Sequence, residues 1–86
     1  MTTICIHVRL AEPFWRAVGQ RDLSLELNVP AQVNDLIGLL RTQYPALARE
    51  MDEAAPVIFI GDVEAGPDAP LADNNHVHIV WPLAGG

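Results

Sequence analysis

Lysine is missing from this sequence of 86 residues, and all five basic side chains are arginines. No side-chain amine is therefore available to accept an isopeptide bond, so self-linked chains would have to use the N-terminal amine. Eleven acidic residues bring the formal net charge to −6. Nucleic-acid binding is disfavoured, because it needs a basic patch that neutralises phosphates and none is visible. An acidic chain instead suits protein partners with basic docking faces.

Cysteine and long apolar runs are also scarce. Cys5 is the only cysteine, which excludes an internal disulfide and a ferredoxin-type cluster with four thiolate ligands. No apolar run approaches the ~18–20 residues needed to span a membrane, and the first residues lack the pattern of a secretory signal. We therefore expect a cytoplasmic protein that neither crosses nor binds a membrane.

Two segments alternate apolar and polar residues with the two-residue period of a half-buried strand. They span residues 4–10 and 23–29. The connection between them, residues 11–21, is long for a tight hairpin. Its large apolar side chains either fold back on the core or form part of an interface: Phe14, Trp15 and Val18.

An apolar stripe at three- and four-residue spacing predicts one main helix after the second strand. The stripe consists of Val33, Leu36, Ile37, Leu40 and Tyr44. Gln32 is a candidate cap at its start, and Pro45 is expected to end it. Leu47 and Met51 suggest a further helical turn in the acidic connection that follows.

Two short apolar segments complete the pattern, residues 56–61 and 76–81, with turn signals between them. Because the helix provides a crossover, the last strand can pair parallel to the first in the middle of the sheet. The sequence thus predicts an α+β fold in a single domain over residues 1–86. Its arrangement is a ubiquitin-like β-grasp, a mixed sheet with one main helix packed on one face.

Residues 82–86 cannot continue the last strand, so we expect them to project as a tail. Gly85 and Gly86 have no Cβ, and their backbone can enter a tunnel too narrow for side chains. The four residues after Pro82 reach about 13–14 Å when extended, enough to deliver a carboxylate into the active site of another protein. There, attack on the α-phosphate of ATP would give an acyl-adenylate, which a sulfur nucleophile can convert to a thiocarboxylate.

The whole chain resembles the MoaD/ThiS family, the small β-grasp sulfur carriers of molybdopterin and thiazole biosynthesis. The resemblance lies in residues 33–40, 44–47, 70–73 and 77–86. The closing Trp81-Pro82-Leu83-Ala84-Gly85-Gly86 is similar to the aromatic/Pro-Pro-x-x-Gly-Gly ending of the molybdopterin-synthase small subunit. In place of the Asn-Gly that often follows the family's third strand, this chain has Ile60-Gly61.

This resemblance implies a non-catalytic carrier, or an accessory subunit of a synthase, that binds no cofactor of its own. Gly86 would be the activated carboxyl, and Pro82, Leu83, Ala84 and Gly85 the tail inserted into the partner. The implied partners are a ubiquitin-activating-type adenylating enzyme that uses ATP, a sulfur donor enzyme and the molybdopterin synthase large subunit. Two alternatives remain: a protein modifier conjugated through Gly86, and a structural or assembly module in which the glycines are incidental.

The open face of the sheet is a second candidate site. Apolar residues there, Val80 and either Ile58 or Ile60, suit a partner surface. Cys5, His7 and His78 are expected on the same face, but zinc ligands on neighbouring strands without a fourth partner are weak evidence for a metal site. A Cys5–His7 nucleophile lacks an orienting third group. The sequence therefore predicts no metal site and no catalytic residue.

Overall fold

The computed structural model describes residues 2–82, and eight helices and strands lie within that part of the chain. In chain order they are β1 (Thr3–Leu10), α1 (Phe14–Val18), β2 (Asp22–Asn28), α2 (Val33–Gln43), α3 (Pro45–Glu53), β3 (Val57–Ile60), β4 (Val63–Ala65) and β5 (His76–Val80).

The five strands form one mixed sheet in the order β2-β1-β5-β3-β4. β1 pairs parallel to β5, with His7 opposite His76 and Leu10 opposite Ile79, whereas the other three strand pairs are antiparallel. The predicted parallel pairing of the first and last strands is confirmed. As a result, the chain reaches the tail from the central strand of the sheet.

One face of the sheet is covered by the helices, and the core lies between them. The fully buried side chains alternate along the strands with outward-facing polar ones and include Ile6, Val8, Val77 and Ile79. From α2, the core receives three buried side chains of the predicted stripe, namely Val33, Leu36 and Leu40. Ile37, which was expected to be buried with them, is only half-buried beside the core.

The main helix begins where the sequence predicts. The backbone N–H of Gln32 donates to Oδ2 of Asp35 over 2.8 Å, and this carboxylate also lies in the first turn, where the helix dipole favours negative charge. Pro45 ends α2 but also begins α3, a use that its fixed φ and missing N–H permit at the first helical position. The predicted further turn is thus a nine-residue helix that buries Leu47 and Met51.

The connection after β1 folds back on the core. Its residues 14–18 form the short helix α1, and Phe14 is completely buried, which settles the alternative left open by the sequence for that side chain. The other unpredicted element is β4, three residues that pair with β3 as an edge strand. Between residues 2 and 82, no helix has both the length and the apolar character to cross a membrane.

Candidate functional site

The residues that precede the predicted tail are held against the core. β5 ends at Val80, and the half-buried indole of Trp81 then packs against the buried ring of Phe14, with ring centroids 5.5 Å apart. Pro82 is also half-buried and is the last residue that the structure describes. The predicted tail residues Leu83, Ala84, Gly85 and Gly86 lie outside the described residues, so their role stays a prediction.

The face of the sheet opposite the helices carries one row of side chains across all five strands. Strand register places Asp22, Arg9, His78, Phe59 and Glu64 next to one another in that order. Nε of Arg9 donates to Oδ1 of Asp22 over 2.9 Å, and both side chains are about two-thirds exposed. An exposed pair of this kind contributes little stability. The open face is therefore polar toward β2 and apolar only toward β3.

The prediction that Ile58 or Ile60 lies on the open face is wrong. In the register of β3 and β5, Ile58 is opposite Ile79 and Ile60 is opposite Val77. Both partners are fully buried under the helices, so Ile58 and Ile60 also belong to the helix-covered face. Because side chains alternate along a strand, both isoleucines had to share one face, and it is the covered one.

Val80 does lie on the open face, as predicted, but with different neighbours. It is opposite Val57 on β3, and Phe59 is two residues further along that strand on the same side. All three side chains are half-buried. We call this set, Val57, Phe59 and Val80, the apolar strip. It lies beside the end of β5, next to the point where the tail begins.

A groove borders the other side of Val80. It is open to solvent, has a volume of about 580 Å³ and lies where β1, α1 and the end of β5 meet. Its lining contains Arg9, Trp15, Arg21 and His78. The guanidinium of Arg21 lies 4.9 Å from the centroid of the Trp15 ring. We call the point where Trp81 and Pro82 lead into the predicted tail the tail root. Beside it, the open face presents an apolar strip and a groove lined by charged side chains of both signs.

The histidines of the open face are not arranged as the zinc site considered above would require, because His7 and His78 are not opposite each other. His7 is opposite His76, and their rings stack with centroids 4.9 Å apart, whereas His78 is opposite Arg9. No group of three or more side chains that could hold a metal ion occurs within residues 2–82. Cys5 is half-buried, and its backbone N–H donates to Oδ1 of Asp73 over 2.7 Å.

Comparison with known proteins supports the same conclusion about the fold. No protein-family model matches the chain, and a search of curated proteins finds no match. Among solved structures, small archaeal modifier protein 1 from Methanosarcina acetivorans superposes with a TM-score of 0.81 at 24% identity, over 100% of both chains. The chain has the ubiquitin-like β-grasp fold. The resemblance suggested by the sequence is thereby confirmed at the level of the fold.

Two further neighbours of this β-grasp protein carry names from molybdopterin chemistry. The putative molybdopterin converting factor subunit 1 from Pyrococcus furiosus has a TM-score of 0.80 at 19% identity, covering 93% of this chain and 99% of that one. A chain in the complex of subunits 1 and 2 of molybdopterin-converting factor from Helicobacter pylori has a TM-score of 0.65 at 17% identity, covering 96% and 100%.

Sequence reasoning missed the two features that shape the surface at the tail root. Val57 and Phe59, rather than the isoleucines, complete the apolar strip. Trp15 and Arg21 come together because α1 turns the connection between β1 and β2 back toward the sheet. β3 is apolar at every position, so its own residues do not show which of its side chains face the core, and only its pairing with β5 does. No signal in the sequence marks the contact between Arg21 and Trp15 either.

Proposed function

We propose that this chain is a sulfur carrier whose Gly86 carboxylate is adenylated by a partner enzyme and converted to a thiocarboxylate. The observation that carries the proposal is the origin of the tail. The segment ending in Gly85-Gly86 follows the central strand, and its root is held by the packing of Trp81 against Phe14. A rigid domain can therefore present a narrow peptide to another protein.

The chemistry divides between carrier and partner. Attack of the carboxylate on the α-phosphate of ATP releases pyrophosphate and forms an acyl-adenylate. Hydrosulfide supplied by a donor enzyme then displaces AMP, and the new C–S bond makes the carboxyl a thiocarboxylate. The partner supplies the nucleotide site and the acid–base groups. The carrier needs only a reachable carboxylate and a docking surface. The apolar strip beside the tail root is suited to that docking, since partly buried Val80, Val57 and Phe59 would lose water on contact.

Molybdopterin biosynthesis is the pathway that we propose for the sulfur. Support comes from two structural neighbours, both described as molybdopterin converting factor subunits, and from the similarity of the Trp81-Pro82 ending to the small subunit of molybdopterin synthase. One neighbour was solved in complex with its subunit 2. The corresponding partner of this chain would be a molybdopterin synthase large subunit, which would accept the loaded tail.

A second function, protein modification through Gly86, is favoured by the neighbour from Methanosarcina acetivorans, which is named as a modifier. The same tail and the same adenylate would serve both functions, and only the nucleophile would differ. A lysine amine would give an isopeptide bond on another protein. Because this chain has no lysine, its conjugates would not grow by branching from its own side chains.

The product formed in cells separates the two functions. We would express the chain with an N-terminal affinity tag in its own host, in wild-type form and with Gly86 deleted, and analyse the captured material under denaturing conditions. A carrier should yield intact protein in which one oxygen is replaced by sulfur. A modifier should yield a ladder of larger conjugates. If neither product is found and cells that express the chain without Gly86 grow normally, the structural or assembly module is favoured.

A further inference from the structure

One arginine in the groove beside Val80 forms no salt bridge and no side-chain hydrogen bond in the described part of the chain. Arg9 is paired with Asp22 across the sheet. Arg21 is exposed, and its guanidinium takes part in no salt bridge or side-chain hydrogen bond within residues 2–82. Its position is nevertheless defined by Trp15, whose ring centroid is 4.9 Å from the guanidinium carbon. Within residues 2–82, Arg21 is therefore a cation positioned by an aromatic ring, and its guanidinium N–H groups donate to no side chain.

From this geometry we infer that the groove binds a carboxylate-bearing segment of the protein that takes up the tail. A guanidinium offers a planar fork of donors that matches a carboxylate in a bidentate pair. Contact with an indole leaves the in-plane N–H groups available and reduces the side-chain freedom lost on binding. The groove is open along the surface, so an Asp or Glu side chain on a loop or helix of the partner can enter it.

The charge of the molecule favours a carboxylate over a polyanion. The formal net charge is −6, and acidic Glu12 and Asp22 also line the groove. A nucleic acid would meet repulsion from both. A single side-chain carboxylate carries one charge and can reach Arg21 while the rest of the partner surface is neutral or basic. The groove thus fits one acidic residue within a mixed protein surface.

The position of the groove indicates which partner would use it. Val80 belongs to both the groove and the apolar strip, and the tail begins two residues later. An enzyme that binds the tail must approach this end of the molecule, where it would cover Val80 and bring its own side chains to Arg21. This inference rests on the proposed function, because it assigns the acidic group to the adenylating enzyme.

A matched pair of variants tests the inference. Arg21→Gln removes the charge in the groove, and Arg49→Gln removes a charge from the exposed surface of α3; both take the formal net charge from −6 to −7. We expect Arg21→Gln to raise the Kd for the adenylating enzyme about tenfold and Arg49→Gln to leave it within about twofold. The defect should shrink at about 0.5 M salt, and adenylation at saturating carrier should keep its wild-type rate. Equal affinities of the two variants would overturn the inference.

A peptide probe keeps this result separate from the proposed function. A capped peptide of alternating Asp and Leu is titrated into the wild-type protein, and the indole N–H resonance of Trp15 is followed by NMR. We expect it to shift with this peptide, but neither with the Asn–Leu counterpart nor in Arg21→Gln. The same response to both peptides would overturn carboxylate binding, whatever the enzyme does. If the peptide result holds but no enzyme adenylates the wild type, the proposed function fails and with it the assignment of the partner.

Discussion

Trp81 packs against Phe14 across the junction between the central strand and α1, with ring centroids 5.5 Å apart. Phe14 is fully buried, so this contact ties the last residues that the structure describes to the core. Because Phe14 belongs to α1, this short helix fixes the position of Trp81, which precedes Pro82 and the predicted tail.

Trp81→Ala should therefore lower the free energy of unfolding by about 2–3 kcal/mol, somewhat less than the loss of a fully buried tryptophan. Urea denaturation followed by far-UV circular dichroism measures it. Val63→Ala is the control, because Val63 is 70% exposed and its truncation should change stability by less than about 0.5 kcal/mol. Equal stability of the two variants would show that the contact does not hold the tail root.

Substitution by alanine should change the stability of the protein in opposite directions at two glycines. Gly38 lies in α2 with space around the position of a Cβ, so Gly38→Ala should stabilise the protein by about 0.5–1 kcal/mol through higher helix propensity. Gly61 has a φ of +61°, where a Cβ is strained, so Gly61→Ala should destabilise it by about 1 kcal/mol. Thermal unfolding of both variants beside wild type checks the signs. A stabilising Gly61→Ala would contradict the turn geometry.

The topology could be predicted because its signals are local and regular. Alternation along β1 and β2 fixes which side of each strand is buried, and the stripe of α2 fixes its inner face. A crossover helix between a hairpin and the last strand then leaves parallel pairing of β1 and β5 as the compact solution. The predictions that depended on these periodicities are confirmed, apart from Ile37, which lies at the margin of the helix stripe.

The open face was harder to predict, because β3 is apolar on both sides. Val57, Ile58, Phe59 and Ile60 give no alternation, so the parity of the strand is set by its pairing with β5 and cannot be read from its own residues. α1 was missed for another reason. Five residues with a proline in front carry too short a pattern to distinguish a helix from a loop. Tertiary contacts decide both the parity of β3 and the formation of α1.

Val80→Asp should weaken binding to the adenylating enzyme by about tenfold or more, because it places a charge in the apolar strip at the tail root. The fold should survive, since Val80 is only half-buried on the open face. Val63→Asp introduces the same side chain at an exposed position outside the strip and should leave the affinity unchanged. Calorimetric titration with the enzyme compares them. If both variants bind like wild type, the apolar strip is not the docking surface.

Asp73 should contribute to stability through one hydrogen bond. Its Oδ1 accepts from the backbone N–H of Cys5 over 2.7 Å, and Asp73→Ala would leave that donor without a protein acceptor. We expect a loss of about 1–2 kcal/mol, whereas Asp73→Asn keeps an acceptor and should lose less than half as much. Chemical denaturation of the two variants measures the difference. Equal losses would show that the hydrogen bond is not the source of the effect.

The central claim is that Gly86 is an acceptor of sulfur. Purified chain is incubated with its adenylating enzyme, ATP and a sulfur donor, and its intact mass is measured beside variants with Gly86 deleted or one residue added beyond it. The wild type should exchange one oxygen for sulfur, and neither variant should do so although both remain folded by circular dichroism. A wild type that keeps its mass in the full reaction, or a deletion variant that gains sulfur as fast, would contradict the carrier function.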